Sequence, residues 1–94
     1  MNADSMPELT REDILSRMSD YLRQNLDRPI PTSLSATTRI VNDLHLDSME
    51  GAQLLTDLED HYEVTIAVSV LQRAETLGDV ATSVMSALEA ARRT

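Results

Sequence analysis

Apolar side chains recur every three or four residues in three separate segments of this 94-residue chain, and that spacing constrains the fold more than any other feature. Such recurrence places the apolar side chains on one face of an amphipathic α-helix. In the first segment these positions are Ile14, Leu15, Met18, Leu22 and Leu26. The second segment has Ala52, Leu55, Leu58 and Tyr62, and the third has Leu77, Val80, Ala81, Val84, Met85, Leu88 and Ala91. The pattern therefore predicts an all-α fold with three long helices around one core.

A capping signal and two prolines bound the first helix. Thr10, with Asp13 three residues later, is a variant of the capping box that starts a helix. Pro29 and Pro31 cannot continue a helix, so we expect the first helix at residues 10–26. The sequence predicts a flexible extension at residues 1–9 and a single domain at residues 10–94, because a chain of this length supports one modest core.

A connection of about twenty residues, 27–46, follows the first helix. Connections of that length are uncommon in small domains unless they pack against the core or carry function. We expect its apolar residues to hold it against the helices: Leu34, Ile40, Val41, Leu44 and Leu46. The second helix should run from Asp47 or Ser48 to about Tyr62, and the last should begin at Thr76, where Thr-x-x-Asp forms another cap.

The chain is strongly acidic, with 16 Asp and Glu residues against 8 basic ones and a net charge of -8. Seven carboxylates lie between residues 43 and 63, a stretch that contains neither Lys nor Arg. Such a surface disfavours nucleic acid and anionic membranes as partners. Without a cation nearby, repulsion should weaken the fold at low salt, and salt or divalent cations should stabilise it. The run is either a solvated helix face or a docking surface for basic partners.

Cysteine is absent, so the chain offers no disulfide, no thiolate nucleophile and no thiolate metal ligand. No apolar run approaches the roughly 18 residues of a membrane-spanning helix, and residues 1–9 are too acidic and polar for a signal peptide. We therefore expect a cytoplasmic protein. We also expect it to be a monomer.

The segment TRIVNDLHLDSM, residues 38–49, ends in Asp47 and Ser48, where a polar connection gives way to the second helix. At a helix N-terminus, unpaired backbone N–H groups and the positive end of the helix dipole favour a phosphate. Ser48 is therefore a candidate attachment point for a phosphate-linked group. The alternative is an ordinary N-cap, since Asp and Ser are among the commonest capping residues.

This segment resembles the surroundings of the modified serine in acyl carrier proteins, the phosphopantetheine-binding family, whose usual form is close to TRLVEDLGLDSL. The resemblance covers residues 14–88 and includes Thr76-Leu77-Gly78-Asp79, which is similar to the family's T-V-G-D. The run IAVSVL at residues 66–71 fits a strand or a helix by pattern alone. By the resemblance it belongs to a short third helix near residues 67–73. The implied architecture is a four-helix bundle with three longer helices, one short third helix and a long loop between the first two.

The resemblance implies that Ser48 receives phosphopantetheine from a separate phosphopantetheinyl transferase and carries acyl chains as thioesters. The chain would be a carrier rather than an enzyme, serving acyl-transferring or acyl-elongating enzymes of fatty-acid or specialised lipid biosynthesis. Asp47 would cap the helix and help the transferase recognise the site, and Met49 replaces the usual Leu beside the arm. The alternatives are a carrier of aminoacyl or polyketide groups and, from a different class, an acidic helical adaptor without a prosthetic group.

The resemblance also places Glu50, Asp57 and Asp60 on a surface that attracts basic patches of client enzymes. Val68 and Val70 stand where the family usually has acidic residues at its third helix. This departure predicts a dedicated client that contacts Val68 and Val70 as docking residues, with at least one of the two valines partly exposed near the docking surface. Sequence drift, or valines that simply turn into the core, are the alternatives.

Two other kinds of site are disfavoured around Ser48. An EF-hand calcium loop starting at Asp43 would need Gly at its sixth position and Glu at its twelfth, but Ser48 and Leu54 stand there. A catalytic triad of Ser48, His45 and Asp43 would lie on one short segment without an oxyanion-hole motif. His45 stands where the family often has Gly, and a non-Gly residue there strains the backbone, although His tolerates left-handed geometry better than most residues.

Overall fold

Four helices and the loop between the first two make up the fold in the computed structural model, which describes residues 9–93. The helices are α1 (Arg11–Asn25), α2 (Ser48–Tyr62), α3 (Ser69–Arg73) and α4 (Leu77–Arg93). Within the described residues no strand forms, and an antiparallel bridge joins Arg39 to Thr76. The predicted all-α bundle, with its short third helix and long first loop, is confirmed. The extension predicted at residues 1–9 lies outside the described residues apart from Leu9.

Reciprocal capping boxes start α1 and α4, as the sequence predicts. The Thr10 side chain accepts a hydrogen bond from the Asp13 N–H, and the Asp13 carboxylate accepts one from the Thr10 N–H. At α4 the Asp79 N–H donates to the Thr76 hydroxyl at 3.2 Å, and the Thr76 N–H donates to the Asp79 carboxylate at 3.1 Å. The backbone N–H groups of Glu75 and Thr76 lower the pKa of Asp79 by stabilising its charged form.

An aliphatic core joins the helices. α1 packs against α4 and α2, and α3 packs against both α2 and α4. The buried side chains are Ile14, Met18, Leu22, Ile40, Leu44, Leu46, Leu54, Leu55, Leu58, Ile66, Val70, Leu77, Val80, Ala81 and Val84. With neither Phe nor Trp in the chain, this interior is built mainly from branched aliphatic side chains, which repack more readily than large rings. None of the helices in residues 9–93 is long and apolar enough to cross a membrane.

The connection between α1 and α2, residues 26–47, is called loop 1, and its second half is fixed to the start of α4. Three backbone hydrogen bonds of 2.9 to 3.0 Å make this connection: Gly78 N–H to Ala36 O, Leu77 N–H to Thr38 O, and Ile40 N–H to Glu75 O. The first half is largely exposed at residues 29–33. The backbone that leads to α2 is therefore positioned by α4 as well as by α2 itself.

Loop 1 also packs its apolar residues against the helices, with one exception. Ile40, Leu44 and Leu46 are buried and Leu34 is half-buried, as expected. The expectation that Val41 also pins the loop is wrong, because its side chain is 63% exposed. Residues 40–44 form a tight turn, so the neighbour of buried Ile40 points away from the core.

Candidate functional site

Ser48 is the first residue of α2, and its side chain is exposed. The N-cap is Asp47, whose Oδ1 accepts the Glu50 N–H at 2.7 Å. Glu50 Oε1 accepts the Asp47 N–H at 3.2 Å, which completes a reciprocal capping box. Because Asp47 performs the capping, the Ser48 hydroxyl lies outside the capping hydrogen bonds and faces solvent at the positive end of the helix.

A residue with a left-handed backbone conformation lies shortly before the start of α2. His45 has φ of 57°, a conformation that costs an L-residue about 1–2 kcal/mol, although His accepts it more often than most residues. Its N–H donates to the Val41 carbonyl at 2.9 Å, and the Leu46 N–H donates to the Ile40 carbonyl at 3.2 Å. The left-handed backbone suggested by the usual Gly is therefore present, with His45 in it.

An apolar groove of about 300 Å³ opens beside Ser48, between α2, α3 and the end of loop 1. Its apolar lining residues are Ile40, Val41, Leu46, Gly51, Ala52, Val68 and Leu71. Gly51 allows Leu71 of α3 to approach α2 closely, because an added Cβ would lie 3.2 Å from Leu71 Cδ1. An exposed hydroxyl at the end of an apolar groove fits a phosphodiester-linked arm that carries a thiol and an apolar acyl chain.

Val41 and Val68 line this groove, and Met49 follows Ser48 in α2. We call these three exposed apolar side chains the apolar rim. Their exposures are 63%, 69% and 66%, and they are the large hydrophobic residues that residues 9–92 leave exposed. The expectation that Val70 belongs to the docking surface is wrong, because its side chain is only 8% exposed and belongs to the core. Residues two apart do not share a helix face, so Val70 of α3 faces the core while Val68, the residue before α3, faces outward. The prediction that at least one of these valines is exposed is confirmed through Val68.

The expectation that no cation lies beside the acidic run is wrong, because the fold brings two arginines to it. Arg17 of α1 donates from Nε and Nη2 to both carboxylate oxygens of Asp57, at 3.1 and 2.8 Å. Arg28 of loop 1 donates from Nη1 and Nη2 to both oxygens of Glu50, at 3.0 and 2.9 Å. Asp60 is exposed. The acidic surface of α2 is therefore less repulsive than its sequence suggests.

These ion pairs change the acidity of the groups involved. The hydrogen bonds from Arg28 lower the pKa of Glu50, and the Asp47 N–H lowers it further. The hydrogen bonds to Glu50 in turn raise the pKa of Arg28. Within residues 9–93, no group of three or more His, Cys, Asp or Glu side chains is placed to hold a metal ion. A divalent cation therefore has no preformed ligand set in the described part of the chain.

Sequence reasoning missed two parts of this site. Arg28 lies 22 residues before Glu50, and no local pattern connects them. Gly51 carried a readable signal, since a glycine inside a helix often marks a close approach of another element. Here that element is Leu71 of α3.

A helical bundle with an exposed serine at the start of its second helix, beside an apolar groove, has the form of a small domain that carries a phosphate-linked arm. A family model described as the phosphopantetheine attachment site matches residues 14–84. Acyl carrier proteins of Exiguobacterium sibiricum and Exiguobacterium sp. strain AT1b are 31% and 29% identical over 72 residues, which are 77% of this chain and 90% of each relative. The chain belongs to the acyl carrier protein family, whose members are carriers of phosphopantetheine rather than enzymes.

A solved structure agrees with this assignment. It is that of a candidate acyl carrier protein from Mycobacterium tuberculosis, with a TM-score of 0.61 and 37% sequence identity. The likeness covers 81% of this chain and 95% of that chain. The family is therefore supported by both sequence and fold.

Proposed function

We propose that Ser48 bears the phosphopantetheine and that the chain holds acyl intermediates on it as thioesters for delivery to partner enzymes. The observation that carries this proposal is the position of Ser48: exposed, first in α2, outside the Asp47–Glu50 capping box and beside the apolar groove. When bound, phosphopantetheine supplies the thiol on which thioester chemistry takes place.

The residues of the chain itself supply attachment and surroundings. Ser48 provides the acceptor hydroxyl, and the first turn of α2 provides a positive dipole end that favours the phosphodiester. Asp47 orders that turn through the Glu50 N–H and is proposed to help the transferase recognise the serine. The groove and Met49 offer apolar surface on which an arm and its acyl chain exclude water.

The test is an intact-mass measurement after incubation with coenzyme A and a broad-specificity phosphopantetheinyl transferase. In this reaction Ser48 Oγ loses its proton and bonds to the pantetheine-bearing phosphorus, the pyrophosphate bond of coenzyme A breaks, and adenosine 3′,5′-bisphosphate leaves. The parent should gain the mass of one phosphopantetheine, and Ser48→Ala should gain none while keeping the helical circular dichroism of the parent.

Ser69→Ala is the matched control, because Ser69 is another exposed serine at the start of a helix. It should be modified as completely as the parent. An unmodified parent, or modification that persists in Ser48→Ala, would refute the proposal and favour the acidic adaptor.

For the clients we propose enzymes of fatty-acid or specialised lipid biosynthesis that contact Asp60 and the apolar rim. Exposed apolar groups beside a charged surface are typical of contact sites. Glu50 and Asp57 are already paired with arginines, so they join the docking surface only where a client cation replaces those partners. The exposure of Val68, in place of the usual acidic residue, supports a dedicated client over a general one.

The nature of the cargo separates the alternatives within the family. The intact mass of the loaded protein purified from its own host distinguishes acyl from aminoacyl or polyketide groups. A carrier domain at residues 10–94, a cytoplasmic location and a monomeric state belong to the same proposal. The net charge of -8 supports the monomer, because like-charged copies repel each other.

A further inference from the structure

We propose that Arg28 is a positioning residue for the modification of Ser48, because its guanidinium holds the turn and the helix start between which the serine lies. The inference rests on the proposed function of Ser48. Arg28 does not contact the serine in this arrangement and acts through the backbone on either side of it.

One guanidinium joins three parts of the chain. Arg28 itself lies near the start of loop 1, and its two terminal nitrogens bind both oxygens of Glu50 in the first turn of α2. Nη2 also donates to the backbone carbonyls of Leu44 and His45, at 3.1 and 3.0 Å. Ser48 lies between His45 and Glu50, so both chain segments that lead away from it are held by Arg28.

The geometry requires the flat, forked shape of arginine. The two parallel hydrogen bonds to Glu50 fix the orientation of its carboxylate, whose Oε1 also accepts the Asp47 N–H. The same guanidinium helps hold His45 in a left-handed backbone conformation, which is unfavourable for an L-residue. A lysine offers one point charge and cannot bind a carboxylate and two carbonyls in this way.

A competing interpretation makes the opposite prediction. If Glu50 contacted the transferase directly, its pairing with Arg28 would inhibit docking, and Arg28→Gln would release the carboxylate and accelerate transfer. If Arg28 and Glu50 position Ser48 together, Arg28→Gln and Glu50→Gln should both slow transfer. The sign of the Arg28→Gln effect therefore separates the two interpretations.

The experiment measures kcat and KM for phosphopantetheine transfer from coenzyme A to the full chain, at a temperature where circular dichroism shows every variant folded. We expect Arg28→Gln and Glu50→Gln to lower kcat/KM by about tenfold, since small misplacements of a reacting group have effects of this order or larger. Arg28→Lys should not restore the rate. Arg17→Gln is the matched control, because Arg17 also pairs two-pronged with a carboxylate of α2, at Asp57, far from Ser48 along the helix.

Arg17→Gln should leave the transfer rate close to that of the parent even if it lowers the melting temperature by the same amount. Equal slowing by both arginine variants, or transfer by Arg28→Gln at or above the parent rate, would overturn the inference. Amide hydrogen exchange gives a readout that needs no modification: the His45 and Leu46 amides should exchange faster in Arg28→Gln and not in Arg17→Gln. A parent that is never modified would refute the proposed function, whereas unchanged exchange would refute the positioning role.

Discussion

Gly78→Ala should destabilise the fold, because this glycine lies where α4 meets loop 1. The chain has two glycines, both helical and neither at positive φ. The Gly78 N–H donates to the Ala36 carbonyl at 2.9 Å. A Cβ at this position would lie 2.8 Å from that carbonyl oxygen and 3.0 Å from Ala36 Cβ, and it would also meet the Arg11 guanidinium. Arg11 can rotate away, but the Ala36 backbone cannot move without separating loop 1 from α4.

The expected size of the effect is the sum of opposing contributions. Steric overpacking costs about 1–3 kcal/mol, and weakening the Gly78 hydrogen bond costs about 1 kcal/mol more. The higher helix propensity of alanine returns at most about 1 kcal/mol. We therefore expect the free energy of unfolding to fall by about 1–4 kcal/mol. Each kcal/mol corresponds to about 4–8 °C in Tm for a domain of this size.

Gly51→Ala provides the control, because it adds the same methyl group inside a helix. Its Cβ would lie 3.2 and 3.3 Å from the two terminal methyl carbons of Leu71, a side-chain end that can rotate. We expect its stability to equal or slightly exceed that of the parent. Thermal melting and urea unfolding followed by circular dichroism measure both variants. Equal stability of Gly78→Ala and Gly51→Ala would refute the reasoning, because it would mean that loop 1 is not packed tightly on α4.

Five further substitutions, at four positions, test the site and its surroundings. His45→Gly should raise the free energy of unfolding by up to about 1 kcal/mol, because glycine adopts the left-handed backbone without strain. His45→Val should lower the free energy of unfolding by about 1–2 kcal/mol. Equal stability of the two variants in urea unfolding would contradict this reasoning. The pKa of Glu50 is lowered on folding from its ordinary value of 4.5, so its charge stabilises the fold above that pH and the contribution is lost as pH falls through the folded pKa. Glu50→Gln should therefore be less stable than the parent at neutral pH and approach it in acid, whereas parallel pH curves of unfolding free energy would exclude the effect. Val70→Glu should lower the free energy of unfolding by about 2 kcal/mol or more, because it forces a charge into the core. Val68→Glu should change the free energy of unfolding by less than about 0.5 kcal/mol and instead weaken binding to the client enzyme. Urea unfolding that ranks these two variants in the reverse order would show that Val68, not Val70, is the buried valine.

The parts of the structure that sequence predicts well are those determined by neighbours in the chain. Thr10 and Asp13, or Thr76 and Asp79, are three residues apart, so their capping boxes follow from local geometry. The left-handed position of His45 is suggested instead by the resemblance to the family, which often has Gly there.

The ion pairs could not be predicted in this way. Arg17 and Asp57 are separated by 40 residues, and Arg28 and Glu50 by 22. Their meeting depends on how α1 and loop 1 pack against α2, and an acidic run without a cation in its own sequence therefore appears unpaired. The sequence reports the charges on a helix, whereas tertiary packing decides which of them are neutralised.

The orientation of the two valines depends on where α3 begins. Val68 precedes α3 without forming any side-chain cap, so no local signal marks the helix start. A shift of one or two residues in that start changes which valine faces the core. The pattern could predict that one valine would be exposed, but only the packing identifies it as Val68.

The two unequal halves of loop 1 determine where this protein tolerates added sequence. Residues 29–33 are largely exposed and lie between the Arg28 contacts and the backbone hydrogen bonds that begin at Ser35. Lengthening an exposed loop is inexpensive, since doubling its length costs only about 0.6 kcal/mol in closure entropy. A peptide tag inserted between Thr32 and Ser33 should thus leave Ser48 in place, whereas the same tag between residues 36 and 47 would disrupt the turn that presents it.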